Sequence, residues 1–175
     1  MIVRPVSPDD ASAIAAIYRP YVTDTAITFE LDPPDAAEFR RRIETITATH
    51  PWLVAEREGA VLGYAYGSTY RTRAAYRWVA ETGIYLAGTA HGHGIGRALY
   101  TALLDELERR GFVAALGVMT AGNPASTALH ERLGFRHVGT QPGIGFKQGA
   151  WHDVVFWQRD LAPRVDAPPE PGASA

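Results

Sequence analysis

The segment from Glu81 to Leu99 restricts what this chain can fold into more than any other. Glu81-Thr82-Gly83-Ile84-Tyr85-Leu86 reads as a strand, and Gly94-Ile95-Gly96-Arg97-Ala98-Leu99 opens a helix whose apolar stripe continues through Leu103 and Leu107. Between them, from His91 to Gly96, nearly every other residue is glycine. A strand that turns into a helix through glycines presents unpaired backbone N–H groups and the positive end of the helix dipole, which suits an anion. Arg97 and Leu99 stand where the third glycine of a dinucleotide fingerprint would be, and no Lys-Ser or Lys-Thr follows to make a P-loop. A plain glycine-rich connection, or a metal site on the His91-x-His93 pair, stays open at this point.

The rest of the composition narrows the classes of function. A chain of 175 residues with 46% hydrophobic and 21% charged residues fits one globular domain, expected over residues 1–162. A net charge of -2 offers no footprint for nucleic acid or an anionic membrane. With no cysteine, disulfides, thiolate metal sites and thiol catalysis are excluded together. No apolar run is long enough to span a bilayer and no signal peptide is seen, so a cytoplasmic location is expected. Lys147 is the only lysine among 17 basic residues.

Taken in order, Ile2 and Val3 begin a strand, and Ser7-Pro8-Asp9-Asp10 caps a helix carrying Ile14, Ile17, Tyr18 and Tyr21 on one face. Thr23 to Leu31 has no period and reads as a loop near the surface. Pro33-Pro34-Asp35 starts a second helix with Phe39, Ile43 and Ile46 inward and Arg40, Arg41 and Arg42 solvated. Trp52 to Glu56 and Val61 to Tyr66 form a hairpin, and an arginine-bearing loop from Tyr70 to Arg77 leads into the strand Val79 to Leu86. After the helix Gly94 to Arg110 come the strand Val113 to Met119 and a short helix from Pro124 stopped at Gly134. The last strands are Arg136 to Thr140 and Val154 to Arg159, with a glycine-rich excursion through Gly143, Gly145 and Gly149 between them. Residues 163–175 read as a disordered proline-rich tail. The order predicts a mixed α/β sheet with helices on its faces.

Gly92 to Leu99 pairs with a later segment, Asn123-Pro124-Ala125-Ser126 followed by Leu129-His130-Glu131-Arg132-Leu133-Gly134-Phe135. Together they resemble the GNAT superfamily of acyl-CoA N-acyltransferases, whose pyrophosphate loop reads Gln/Arg-x-x-Gly-x-Gly/Ala. Glu81 ahead of Ile84-Tyr85-Leu86, the Leu129-His130 pair and the ending Gly145-Phe146-Lys147-Gln148-Gly149-Ala150-Trp151-His152-Asp153 are similar to its phosphinothricin and methionine sulfoximine acetyltransferase branch. The likeness spans Ile2 to Leu161 and departs at His91, where the family has Gln or Arg. It implies a mostly antiparallel central sheet with helices on both faces, acetyl-CoA as co-substrate without a metal, a small amino acid acceptor and a homodimer.

Acetyl transfer from a thioester to an amine needs a free amine, an oxyanion stabiliser and a proton route to the leaving thiolate. An α-amine is largely protonated near neutral pH, so a general base is required. Glu81, an acid in an otherwise apolar strand directly before the glycine loop, is the candidate; the alternative is a structural carboxylate paired with an arginine such as Arg77. The resemblance implies that the pantetheine arm pairs with Ile84, Tyr85 and Leu86, with an exposed N–H near Leu86 polarising the thioester carbonyl. It further implies that Gly92, His93, Gly94, Ile95, Gly96 and Arg97 hold the pyrophosphate. Asn123 has an amide that can serve the pantetheine amides, cap a helix, or do both.

His130 falls where many members of the superfamily carry a tyrosine acid. The resemblance therefore implies that it protonates the thiolate or assists Glu81, a purely structural histidine being the alternative. For the acceptor's carboxylate a bidentate arginine is expected, and Arg71 and Arg73 lie in the loop before Glu81. Phe29 and Tyr76 are placed to wall the acceptor or simply to pack. Lys147 matches the branch's C-terminal signature, which implies support of the substrate site or of the dimer interface. An acceptor of another kind (a protein N-terminus, a polyamine, a drug) and a non-catalytic acyl-CoA-binding domain are the competing readings. The arginines at 71, 73 and 77 disfavour a polycationic acceptor, and the retained Glu81, Asn123 and Gly94-x-Gly96 disfavour the binding domain.

Overall fold

Turn and cap chemistry set the elements before packing arranges them. In the computed structural model, which describes residues 1–172, strand β1 (Ile2–Pro5) leads through the Ser7 capping box into helix α1 (Ala11–Thr23). Asp35 caps α2 (Ala36–Thr47), its Oδ1 accepting from the Glu38 N–H at 2.8 Å. Strands β2 (Trp52–Arg57) and β3 (Ala60–Thr69) are joined by Glu58 and Gly59, both left-handed at φ 53° and 79°, as a two-residue hairpin turn demands. Then follow β4 (Val79–Leu86), α3 (Ile95–Arg109), β5 (Ala114–Thr120), α4 (Pro124–Arg132), β6 (Arg136–Lys147) and β7 (Ala150–Asp160).

The strands form one sheet in the order β1-β2-β3-β4-β5-β7-β6. Every neighbouring pair is antiparallel except β4 and β5, which are parallel and connected by the crossover helix α3. Strand alternation divides the core. Trp52, Val54 and Tyr64 face α1 and α2, meeting Ile14, Tyr18, Phe39 and Ile43, whereas Leu53, Ala55 and Ala65 face α3, meeting Leu99, Leu103 and Leu107. Helices therefore cover both faces.

Two readings of the sequence need correction. The glycine-rich excursion is strand: β6 runs to Lys147, Gln148 and Gly149 make a two-residue turn at φ 51° and 76°, and β7 returns from Ala150. Its register slips between Gln141 and Gly145, and at Gly145 the Phe29 ring fills the space a side chain would take. Gly143 and Gly145 mark a bulge and a close approach, and only Gly149 belongs to a turn. The segment from Thr23 to Leu31 is irregular as expected but is pinned inward rather than lying free on the surface, with Thr28 buried. Residues 163–172 form neither helix nor strand and lie along the body: Trp78 donates to Pro169 O at 2.7 Å, Arg77 pairs with Glu170 at 2.7 Å, and the Gly172 N–H donates to Arg110 O. The remainder of the expected tail lies outside the described residues.

Candidate active site

The parallel junction opens. Ladder pairs join β4 to β5 only from Val79↔Ala114 to Thr82↔Gly117, after which β4 continues to Leu86 and β5 to Thr120. On the far side of β4, the Ala87 N–H donates to Leu62 O, so alternation turns the N–H and C=O groups of Ile84 and Leu86 toward the opening. An extended ligand carrying amides can pair with such an edge. This is the property of Ile84 to Leu86 that no sequence pattern displays.

At the end of β4 the helix α3 begins, capped by Gly94 at φ 73° after Gly92 at φ 78°. Both glycines occupy the left-handed region that other residues adopt only with strain. The first helical bond, Ala98 N–H to Gly94 O, leaves the N–H groups of Ile95, Gly96 and Arg97 without intrahelical acceptors. Gly96 lets the helix come close: a Cβ there would lie 3.2 Å from the Leu86 side chain. His91, His93 and Arg97 are exposed beside this helix N-terminus, a geometry that suits an anion. Across the opening, Asn123 Oδ1 caps α4 by accepting from the Ser126 N–H at 3.1 Å, which leaves its amide nitrogen outward.

Glu81 sits half-buried on the α1–α2 face, and among the described residues its carboxylate has no hydrogen-bond or ion-pair partner. Burial raises its pKa above the ordinary glutamate value. The alternative of a pair with Arg77 is not what the chain forms, because that guanidinium stacks on Trp78 at 4.2 Å and pairs with Glu170. Further along the same face, a pocket of about 160 Å3 is walled by Ile27, Thr28, Phe29, Tyr85, Met119 and Val154. Its loop wall is tied down on several sides. Tyr18 bonds Thr28 at 2.5 Å, Arg42 grips Glu30 through 2.8 Å and 3.0 Å bonds, and Thr120 donates to Ala26 O at 2.6 Å. Buried Lys147 donates to Thr28 O at 2.8 Å, so its ammonium is engaged by the loop backbone; burial lowers its pKa, with Glu30 opposing.

His130 lies on the other face. Its imidazole sits against Gly117, where a Cβ would collide with it, and its Nδ1 meets Ser126 O at 2.8 Å. The Tyr100 hydroxyl stands 3.1 Å from Nε2 and 2.7 Å from Thr82 Oγ1, which in turn donates to Leu116 O at 2.9 Å. Since a carbonyl only accepts, Nδ1 carries the proton and Nε2 accepts from Tyr100. Burial lowers the pKa of His130. Glu81 and Thr82 are consecutive in a strand and point to opposite faces, so Glu81 and His130, which is reached through Tyr100 on the Thr82 side, lie on opposite sides of the sheet.

The arginine loop sorts its members. Arg71 lies over the rings of Tyr70 and Tyr76, at 5.1 Å and 5.6 Å from their centroids, which holds an exposed guanidinium in place. Arg73 is exposed and precedes the short turn Ala74–Tyr76. One residue of this region that the sequence reading left in the core is Tyr21. Its apolar helix spacing hid a hydroxyl that donates to Leu86 O at 2.7 Å, lies 3.3 Å from the Leu86 N–H and reaches His91 Nε2 at 3.1 Å. A larger groove of about 570 Å3, between β1, α2 and α3, contains none of these residues. Among the described residues no three metal-ligating side chains converge, and no helix is long and apolar enough to cross a membrane.

Residues 14–135 match the model of the Acetyltransferase (GNAT) family. The chain is 38% identical to the phosphinothricin N-acetyltransferase of Streptomyces viridochromogenes over 97% of its length and 91% of that protein's. It is 33% identical to the L-methionine sulfoximine/L-methionine sulfone acetyltransferase of Pseudomonas aeruginosa, covering 95% of this chain and 98% of the relative. A solved phosphinothricin acetyltransferase from Sinorhizobium meliloti, in complex with AcCoA, superposes with a TM-score of 0.89 at 39% identity, covering 95% of this chain and 94% of the other.

Proposed function

This chain belongs to the acetyltransferase (GNAT) family, and we propose that it moves the acetyl group of acetyl-CoA to the α-amine of a small amino acid analogue of the phosphinothricin or methionine sulfoximine type. The observation that carries this reading is the unpartnered, half-buried Glu81 carboxylate beside an open strand edge that ends at a glycine-built helix N-terminus. The names of its relatives and the AcCoA complex support the donor and the class of acceptor.

In this scheme the pyrophosphate rests on the backbone N–H groups from Gly92 to Arg97, and the pantetheine amides pair with the β4 edge and the Asn123 amide. The Ile84 N–H faces the opening and polarises the thioester carbonyl, a role that Leu86, already engaged by Tyr21, fills less readily. Arg71, held between two rings, takes the acceptor's carboxylate as a bidentate partner. Glu81 takes the proton that the ammonium must lose; the amine then attacks the carbonyl carbon, the C–N bond forms, the C–S bond breaks, and the remaining proton ends on the thiolate. His130 enters as scaffold, holding Gly117 at the point where the strands part.

A second copy of the chain is the partner we propose for the outer β6–β7 hairpin, where Ile144 and Phe146 of β6 and Trp151 of β7 are 52%, 57% and 67% exposed. Sedimentation at micromolar concentration reads this directly, and a monomer there contradicts it. The transfer itself is tested by coenzyme release with phosphinothricin, methionine sulfoximine, methionine sulfone, spermidine and a peptide. Turnover confined to the amino acid analogues is expected. Turnover only with spermidine or the peptide assigns another acceptor, and coenzyme binding without turnover on any of them assigns a binding domain.

A further inference from the structure

Tyr66 lies one strand away from Glu81 on the same face. The register sets Trp52, Tyr66 and Gly83 in a row across β2, β3 and β4, and alternation puts Glu81 and Tyr85 on either side of Gly83. The Tyr66 ring stacks on Trp52, with centroids 4.7 Å apart and planes inclined by 26°. It reaches out over β4: a Cβ on Gly83 would lie 2.9 Å from Tyr66 Cε1 and 3.1 Å from its hydroxyl oxygen. The hydroxyl thus stands above the β4 backbone one residue beyond Thr82, where the last pair with β5 is made. Glycine at position 83 is what admits it.

Among the described residues the Tyr66 hydroxyl has no hydrogen-bond partner, and it is not one of the sealed, unpartnered atoms, which are the indole nitrogens of Trp52 and Trp157. Its oxygen therefore keeps some accessible surface, although the ring is largely buried. Burial, then the neighbouring Tyr18 and Glu81, keep the phenol protonated. Two polar groups, a carboxylate and a hydroxyl, consequently stand on one face beside the last β4–β5 pair, neither with a hydrogen-bond partner among the described residues. Polar groups in that condition call for a ligand. Stacking alone would be served as well by phenylalanine.

We propose that the Tyr66 hydroxyl binds the acceptor's amine, accepting one N–H while Glu81 faces another, so that the nitrogen lone pair is turned toward the β4 edge at Ile84. This rests on the acetyl-transfer reading above. It makes Tyr66 a group that orients the nucleophile, a task in which small misplacements have large effects on rate.

Tyr66→Phe keeps the ring on Trp52 and removes the contact. With acetyl-CoA and phosphinothricin, kcat is expected to fall about 10-fold, the upper end of what losing one hydrogen bond between neutral groups costs. The acetyl-CoA KM and the thermal midpoint are expected to stay at their wild-type values. Gly83→Ala, which retains the hydroxyl but forces the ring off the strand, is expected to lose kcat by at least as much while still binding acetyl-CoA. Phenylalanine kinetics within about twofold of wild type would overturn the role and leave the transfer reading intact. A fall in kcat matched by a fall in thermal midpoint would assign Tyr66 to packing and overturn it too. A wild type that binds acetyl-CoA yet acetylates neither phosphinothricin nor methionine sulfone would overturn both.

Discussion

Glu81 and Thr82 are neighbours in β4, and the two faces they point to treat polar groups in opposite ways. Thr82 stands in a row of close polar contacts through Tyr100 and His130 to Ser126 O, packed under the cover of α3 and α4. Glu81 and Tyr66 reach the α1–α2 face, and among the described residues neither the carboxylate nor the hydroxyl has a hydrogen-bond partner. Both faces hold titratable side chains near the opening between β4 and β5. On one of them the polar groups contact one another; on the other, two stand without a partner among the described residues, which is the basis of the proposed site. Proximity to the opening is therefore not evidence of chemistry, whereas a missing partner is.

The contrast would be broken most decisively by Glu81→Gln behaving as wild type. It is expected to lower kcat/KM by about 10²- to 10⁴-fold, the usual contribution of a positioned base, in steady-state assays with acetyl-CoA. Because burial disfavours the charged carboxylate in the folded state, the same change is expected to leave the thermal midpoint equal or higher.

His130→Ala should show the reverse. Losing a buried ring and stranding the Tyr100 hydroxyl costs about 2–4 kcal/mol in denaturant unfolding, with kcat of the folded enzyme reduced only a few-fold. The pH dependence follows from the sign of its shift. The folded pKa lies below the ordinary 6.5, so the unfolded chain binds a proton first and stability falls as pH drops below that value. His130→Ala is expected to flatten this loss, although His50, lowered likewise by burial, keeps part of it.

Arg71→Ala sharpens the comparison at the acceptor end, raising the acceptor KM about 10-fold while Arg73→Ala stays within about twofold. Equal effects would remove the distinction drawn from the flanking tyrosines. Tyr21→Phe carries the smallest expectation. The Tyr21 hydroxyl occupies the Leu86 edge that the pantetheine amides need, so its removal should lower the acetyl-CoA KM by about two- to fivefold. A higher KM would make Tyr21 a support of the site instead of a competitor.

Much of this was legible in the residues. The bounds of β4 follow from its apolar run and flanking turns, and the glycine pattern before α3 identifies the helix terminus. Glu81 stands out as an acid where none is needed for packing. Alternation even separates Glu81 from Thr82, though not which of the two faces carries the site. The opening between β4 and β5 depends on how two halves of a sheet diverge, a property of tertiary packing that local patterns do not carry. Tyr66 and Tyr21 were hidden because an aromatic at strand or helix spacing looks like core, and what matters in each is where the hydroxyl ends. Gly83 passes for a plain strand residue and Gly145 for part of a loop, yet each makes room for a ring, Tyr66 in one case and Phe29 in the other.

The central claim, that the unpartnered carboxylate of Glu81 is the base, meets its most direct test in the pH profile of kcat/KM for wild type and Glu81→Gln with phosphinothricin. The wild type should lose activity as pH falls through a midpoint above the ordinary glutamate value, because protonation removes the base. The Gln variant should lack that limb along with most of its rate. A variant that keeps both the rate and the limb would contradict the account.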